Sequence, residues 1–281
     1  MIVPVDDHLV HRGDGVFEAI KCVNGKVFLL DQHLDRLSSS AAKIFLPLPK
    51  TQAEIKAIIL EAARIAGASE VLFRLFISRG PGGFTTNPYE SVGSQMYLIL
   101  TSLMSPAAEK YEKGIAIGKS HVPAKDGWLA QIKTCNYLPN VLMKKESVDR
   151  NLDFTVGFDA QGFLTESSTE NIMFLDQNNI LVRPTLRQIL KGTTMMRAFE
   201  LAEKLVDEKL IAGIAERDLN ESELISAKEV MMVGTTLDVL PVTQYEGKPV
   251  GTGQVGKVAQ RLLELVREDM KTGPYATPFK T

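Results

Sequence analysis

Apolar and polar residues alternate over residues 16–22, Asn24-Gly25 follows, and a second apolar run covers residues 26–30. Asn-Gly between two such runs is the strongest short hairpin signal in the chain. Asp31 then caps a predicted helix over residues 32–45, stopped by Pro47 and Pro49. Thr51-Gln-Ala-Glu54 has the form of a capping box and opens a second helix that ends at Gly67. Two apolar strands are predicted next, over residues 71–78 and 95–101, with a loop rich in glycine and proline between them at residues 80–93. This first part reads as a small α+β domain.

Residues 102–113 read as a polar connection containing a proline, and the predicted domains are 1–107 and 108–281. Beyond the boundary, strands are predicted over residues 114–120, 154–158, 171–175, 180–182, 230–233 and 240–245. The turn signals Ala160-Gln-Gly162 and Gln177-Asn-Asn179 separate the middle ones. Helices are predicted over residues 137–150, 193–210, 221–227 and 255–271, and the tail, 273–281, reads as extended. The expected architecture is two α/β domains with a cleft between them, a usual place for a ligand.

Composition narrows the class without naming it. A chain of 281 residues with 44% apolar and 23% charged residues is an ordinary soluble protein with room for a substantial core. The net charge of -2 and the absence of like-charge blocks argue against nucleic-acid binding. No apolar run has the length of a membrane span, and no signal peptide is evident, so a cytoplasmic protein is expected. Cys22 and Cys135 fit no metal or redox spacing and read as free thiols, and the 4 histidines form no metal-ligand pattern.

Four segments carry chemistry: Gln131-Ile-Lys133-Thr-Cys-Asn136-Tyr137, Thr165 to Asn171, Gln188-Ile-Leu190-Lys-Gly192-Thr193-Thr194 and Val233-Gly234-Thr235-Thr236. A lysine before a helix is usually a surface residue with its stem laid along apolar neighbours. Partly desolvated, it is an imine-forming amine, and Cys135, Tyr137 and Leu138 are the residues to desolvate it. Glu166 reads either as a turn carboxylate satisfied by backbone amides or as an anchor for a protonated ring nitrogen. Leu190 to Thr194 opens a predicted helix, and helix-terminal amides, glycine and threonine hydroxyls suit a phosphate. Gly234-Thr235-Thr236 offers a second such set. Arg36 shares a helix face with His33 and is either a solvated arginine or a phosphate-binding guanidinium. A lysine, a carboxylate and two phosphate cradles are the parts a protein supplies to pyridoxal 5'-phosphate (PLP).

These residues resemble the class IV aminotransferases, the fold type IV PLP enzymes, which include D-amino-acid and branched-chain transaminases and aminodeoxychorismate lyase. The resemblance runs through Gly13 to Glu18, His33-Leu-Asp-Arg36, Lys133 to Asn140, Thr165 to Asn171, Ile189 to Thr194 and Gly234 to Thr236. It implies an α/β (α+β) fold with a small N-terminal α+β domain and a larger C-terminal barrel-like domain that binds PLP. It implies that Lys133 links to the cofactor and moves the substrate Cα proton. Glu166 should hold the pyridine nitrogen and Tyr137 the phenolic oxygen. Arg36, Gly192, Thr193, Thr194 and Thr235 should hold the phosphate, with Leu190 packed on the ring and Asn171 nearby. Phe17, Arg79 and Thr236 are the candidate substrate contacts, and no metal is expected. The implied partners are an amino acid (a D-amino acid or a branched-chain L-amino acid) and a 2-oxo acid such as 2-oxoglutarate, with a homodimer as the assembly. Two alternatives stand beside transamination: 4-amino-4-deoxychorismate lyase, releasing pyruvate and 4-aminobenzoate, and a non-catalytic phosphate-binding module. The loop Arg79-Gly-Pro-Gly-Gly-Phe-Thr85 resembles the lyases and lacks the Arg-x-His pair with which bacillary D-amino-acid transaminases grip the substrate carboxylate. Arg79 and the Gly234-Thr235 amides are the alternatives for that task. The chain also starts short of the strands that relatives carry before Gly13, which reads as a truncated start or a trimmed small domain.

Overall fold

In the computed structural model, which describes residues 2–67 and 69–279, the chain forms two compact units, neither continuous in sequence. The first gathers the chain up to Leu103, the short stretch Ile132–Tyr137 and the chain from Asp269 onward; the second holds Met104–Gln131 and Leu138–Glu268. Both outlying segments of the first unit lie beyond residue 107, and strand pairing is what draws them in. Thr134 bridges Val16, and the strand Ala276–Pro278 pairs antiparallel with residues 26–28.

The first unit contains α1 (His8–Arg12), β1 (Gly15–Val23), β2 (Lys26–Phe28), α2 (Leu30–Lys43), α3 (Gln52–Ala66), β3 (Val71–Ser78) and β4 (Gln95–Ser102). Its five-stranded sheet is antiparallel throughout, in the order Ala276–Pro278, β2, β1, β3, β4. Asn24 and Gly25 both take positive φ (54° and 70°), the geometry of a tight hairpin turn matched to strand twist. Leu30, Leu34, Leu37 and Ala41 of α2, with Ile55, Ile59 and Ala63 of α3, recur at helical spacing and pack with Phe73, Leu75 and Ile77 of β3. The capping box of α3 forms as expected, Thr51 and Glu54 exchanging bonds. The cap of α2 differs: Leu29, with φ 54°, holds that position without a side-chain bond. Asp31 is the second residue of the helix and pairs with Lys56 instead. α1, whose five residues are too few for a periodic signal, is capped by Asp7 and closed by Gly13.

The second unit contains α4 (Ala108–Lys113), β5 (Ile115–Lys119), α5 (Leu138–Asp149), β6 (Phe154–Phe158), β7 (Leu164–Ser167), β8 (Asn171–Leu175), β9 (Ile180–Arg183), α6 (Thr193–Leu201), α7 (Glu203–Asp207), β10 (Gly213–Glu216), α8 (Glu221–Ser226), β11 (Glu229–Gly234), β12 (Asp238–Tyr245) and β13 (Lys248–Pro249). A final helix, α9 (Lys257–Thr272), begins here and runs into the first unit. The nine-stranded sheet has the order β10-β9-β8-β11-β12-β5-β6-β7, with β13 beside β12. Its pairing is mixed, β9/β10, β5/β12 and β5/β6 being parallel. Ile117, Val156, Ile172, Phe174, Val182, Val230, Met232 and Leu240 make the core.

Three expectations change in this unit. The connection 102–113 contains α4. The single helix expected over 193–210 is two, Ala202 ending α6 and beginning α7. Glu166 stands within β7 rather than in a turn, because residues 164–167 fold back onto β6. The polar residues of β7 hid it, and they are accommodated by local bonds such as Ser167 Oγ donating to Thr155 O at 2.7 Å. Among the described residues no helix is long and apolar enough to cross a membrane, and no cluster of His, Cys, Asp and Glu could hold a metal ion.

Candidate functional site

In the first unit, Lys133 is set in place by its backbone. Lys133 N donates to Ser40 Oγ at 3.3 Å, Phe17 N donates to Lys133 O at 2.9 Å, and Cys135 N donates to Gly15 O at 2.9 Å. The residue is 8% exposed, and its Nζ lies 4.7 Å from the ring centre of Phe17 and 6.0 Å from that of Tyr137. Phe17 and Tyr137 meet edge to face at 5.0 Å, and Phe17 stacks on Phe76, its register partner in β3. Of the three residues expected to desolvate the amine, Tyr137 faces it and Leu138 is exposed, while Phe17 supplies the nearer ring. Burial, with the charges of Asp14 and Asp7, pushes the neighbouring Cys135 thiol up to about 12, so it stays protonated and inert.

Arg36 does not stand alone. Its Nε and Nη2 donate to the two carboxylate oxygens of Glu18 at 2.8 and 2.7 Å, and His33 Nδ1 lies 2.7 Å from Glu18 Oε2. Glu18 is fully buried on β1, and His33, Arg36 and Ser40 lie at helical spacing on α2. Burial alone pushes the Glu18 carboxyl up, but the charge and hydrogen bonds of Arg36, aided by His33, bring it down to about 2. Burial holds the His33 imidazole below its ordinary value; Glu18 opposes that shift, and the charges of Arg36 and Lys133 add to it. This triad escaped the sequence reading; the only hint was the i, i+3 pairing of His33 and Arg36.

The depressed Glu18 carboxyl has a consequence for stability. Its folded value of about 2 lies below the ordinary 4.5. Its contribution is therefore complete above about pH 4.5 and is lost as pH falls toward 2, amounting to about 3 kcal/mol. Urea unfolding of the wild type and of Glu18→Gln, followed from about pH 5 to about pH 3, should show the steeper loss in the wild type. Parallel curves would contradict an ionised Glu18 in the folded state.

Arg79 is committed elsewhere in the first unit. Its Nε and Nη2 donate to Asp14 at 2.6 and 3.0 Å, Nη2 also to Ile44 O at 2.9 Å and Nη1 to Phe45 O at 3.2 Å. A substrate carboxylate at Arg79 would have to displace Asp14.

In the second unit, Glu166, Asn171 and Leu190 converge. Glu166 Oε2 accepts from Leu190 N at 3.0 Å and from Asn171 Nδ2 at 3.3 Å, and Asn171 Nδ2 also donates to Leu190 O at 3.1 Å. Gly192 is the N-cap of α6 and, having no side chain, makes no side-chain cap bond. A Cβ there would sit 1.8 Å from Asn171 Oδ1, so any larger residue would have to displace the Asn171 side chain. Thr193 and Thr194 are buried at the start of α6. In the sheet Asn171 is the register partner of Val233, so Gly234, which ends β11, and the turn at Thr235-Thr236 follow directly on the strand beside it. Lys125, not anticipated from the sequence, lines a cavity with Glu166, Asn140 and Gln188. Burial holds its ammonium below its ordinary value against the opposing charge of Glu166.

The first unit thus carries a buried amine packed on aromatics, and the second an anchored carboxylate and a glycine-opened helix start. Residues 15–245 match the family model for amino-transferase class IV, and the chain belongs to that family. It is a PLP-dependent enzyme. It is 33% identical to the chloroplastic D-amino-acid transaminase of Arabidopsis thaliana over 278 residues, 98% of this chain and 73% of that protein. It is 30% identical to a putative branched-chain-amino-acid aminotransferase of Methanocaldococcus jannaschii over 267 residues, 95% of this chain and 90% of the other. In fold it is similar to the branched-chain amino acid aminotransferase of Escherichia coli, with a TM-score of 0.91 at 24% identity, over 99% of this chain and 94% of that one. A second branched-chain amino acid aminotransferase, solved with pyridoxamine 5'-phosphate, shares the fold with a TM-score of 0.93 at 24% identity, over the same shares of the two chains.

Proposed function

We propose that this enzyme is a transaminase that moves the amino group of a D-amino acid to a 2-oxo acid such as 2-oxoglutarate. The observation that carries the reaction is Lys133, an almost fully buried amine packed on Phe17 and Tyr137. The choice of D-amino acids rests on the chloroplastic relative, which matches 98% of the chain.

The residues present suit the ends of PLP. Lys133 would hold the cofactor through its amine and would carry the proton to and from the substrate Cα. Glu166, held by Leu190 N and Asn171, keeps a proton on the ring nitrogen. Bound PLP supplies an electron sink conjugated to the substrate amine. The Tyr137 hydroxyl would serve the phenolic oxygen, and Leu190 would lie against the ring. The start of α6, opened by Gly192, takes the phosphate with Thr193, Thr194, Thr235 and Arg36. Because Asp14, Ile44 O and Phe45 O together accept from all three guanidinium nitrogens of Arg79, the substrate carboxylate is assigned to the Gly234-Thr235 amides and Thr236. We also place the enzyme in the cytoplasm as a homodimer. The exposed apolar residues Leu138, Val141, Leu142 and Val148 of α5, with Trp128 and Leu129, support an assembled state.

The test is the visible spectrum of the PLP-loaded protein before and after D-alanine, with no acceptor. The expected result is loss of the lysine-linked band and a rise of the pyridoxamine form. A response to L-leucine alone would make the substrate a branched-chain L-amino acid, as the Methanocaldococcus jannaschii relative suggests. Formation of 4-aminobenzoate from aminodeoxychorismate without an acceptor would make the enzyme a lyase.

A further inference from the structure

We infer that Glu18 is a positioning residue for the phosphate end of the cofactor: it fixes the Arg36 guanidinium and so sets how strongly the protein prefers the phosphorylated cofactor to its unphosphorylated form. This deepens the reading of Arg36 above and rests on it.

Three observations carry it. First, Glu18 holds Arg36 through two parallel bonds, Nε to Oε1 at 2.8 Å and Nη2 to Oε2 at 2.7 Å. Such a fork fixes the plane of the guanidinium as well as its place. Second, Glu18 is itself held: it is fully buried, its Oε2 also meets His33 Nδ1 at 2.7 Å, and its strand is paired with β3 on one side and β2 on the other. Third, the neighbouring residue of the same strand, Phe17, receives Lys133 Nζ on its ring and donates its N–H to Lys133 O. Two adjacent residues of β1 thus set the lysine and the arginine, and their relative placement follows from one stretch of backbone.

The energetic logic is preorganisation. An arginine side chain loses considerable rotamer freedom when it grips a ligand, and a guanidinium already fixed has less to lose. Glu18 also offsets the cost of holding the Arg36 cation at 11% exposure before any phosphate arrives. Glutamine at position 18 keeps the shape but puts an amide N–H₂ where a guanidinium donor needs an acceptor, so the fork is lost.

The experiment compares dissociation constants of the apoprotein for PLP and for pyridoxal, which lacks the phosphate, in the wild type, Glu18→Gln and Arg36→Gln. Glu18→Gln should weaken PLP binding on the order of tenfold or more, leave pyridoxal binding unchanged, and so collapse the ratio. Equal weakening of both ligands would mean that Glu18 serves the fold alone, and an unchanged ratio would mean that Arg36 needs no positioning; either overturns the inference. Arg36→Gln separates the two levels. An unchanged ratio in that variant would remove the Arg36 reading, whereas a collapse there with none in Glu18→Gln would remove only the role of Glu18. If Glu18→Gln does not fold, Glu18→Asp keeps the charge but shortens the reach; it should weaken PLP binding to a smaller extent, again without change for pyridoxal.

Discussion

Lys133→Ala is expected to abolish transamination, lowering kcat by at least about a thousandfold, because covalent attachment and proton transfer are lost together. The fold should survive. The bonds that bring residues 132–137 to β1 run through the backbone, from Phe17 N to Lys133 O and from Cys135 N to Gly15 O, and truncating the side chain leaves them intact. Ser40 likewise holds the backbone N–H. What is removed is the amine over the Phe17 ring. Borohydride reduction followed by intact mass measurement reads the result without turnover: the wild type should retain the cofactor's mass and the variant should not. Turnover by Lys133→Ala within a few-fold of the wild type would assign the proton transfer to another group, and with it the reading of the site would fall.

Glu166→Gln should be the second largest loss, with kcat reduced about a hundredfold or more and PLP still bound. The carboxylate accepts from a backbone amide and from Asn171 Nδ2, both on Oε2. A glutamine carbonyl can take over both of those bonds, so the local structure is preserved. Its other end then carries N–H₂, a donor, where the ring nitrogen needs an acceptor for its proton. The variant therefore isolates electronic control from anchoring. The check is a KM-against-kcat split, backed by the cofactor dissociation constant: loss confined to kcat supports the assignment, and loss of PLP binding with kcat intact would make Glu166 an anchor only.

Much of the first unit could be read from residue order, because its signals are local. The Asn24-Gly25 turn, the Thr51/Glu54 box and the apolar run of β3 each declare themselves within a few residues. β7 was hidden because strand identity there comes from pairing with β6, and its sequence Leu-Thr-Glu-Ser carries no apolar alternation. The break at Ala202 was equally invisible, since alanine is a good helix former and no glycine or proline marks the spot. At the candidate site, Lys133 and Glu166 are singled out by their neighbours in sequence. The environment of Arg36 was not: Glu18 meets it across 18 residues of chain, and only folding reveals the buried carboxylate. Arg79 shows the converse, a residue whose charge invited a substrate and whose geometry serves Asp14.

The interleaving of the two units bears on when the protein can fold during synthesis. A nascent chain passes from one unit to the other at residues 103/104, 131/132, 137/138 and 268/269. Until Asp269 and the residues after it emerge, β2 is an open edge, because the strand Ala276–Pro278 that covers it is made long after β2 itself. An unpaired edge is a template for association with other chains. The sheet of the first unit is thus begun by β1 and β2 and completed only when residues 276–278 are made, and the interval between the two exposes the growing chain to mispairing.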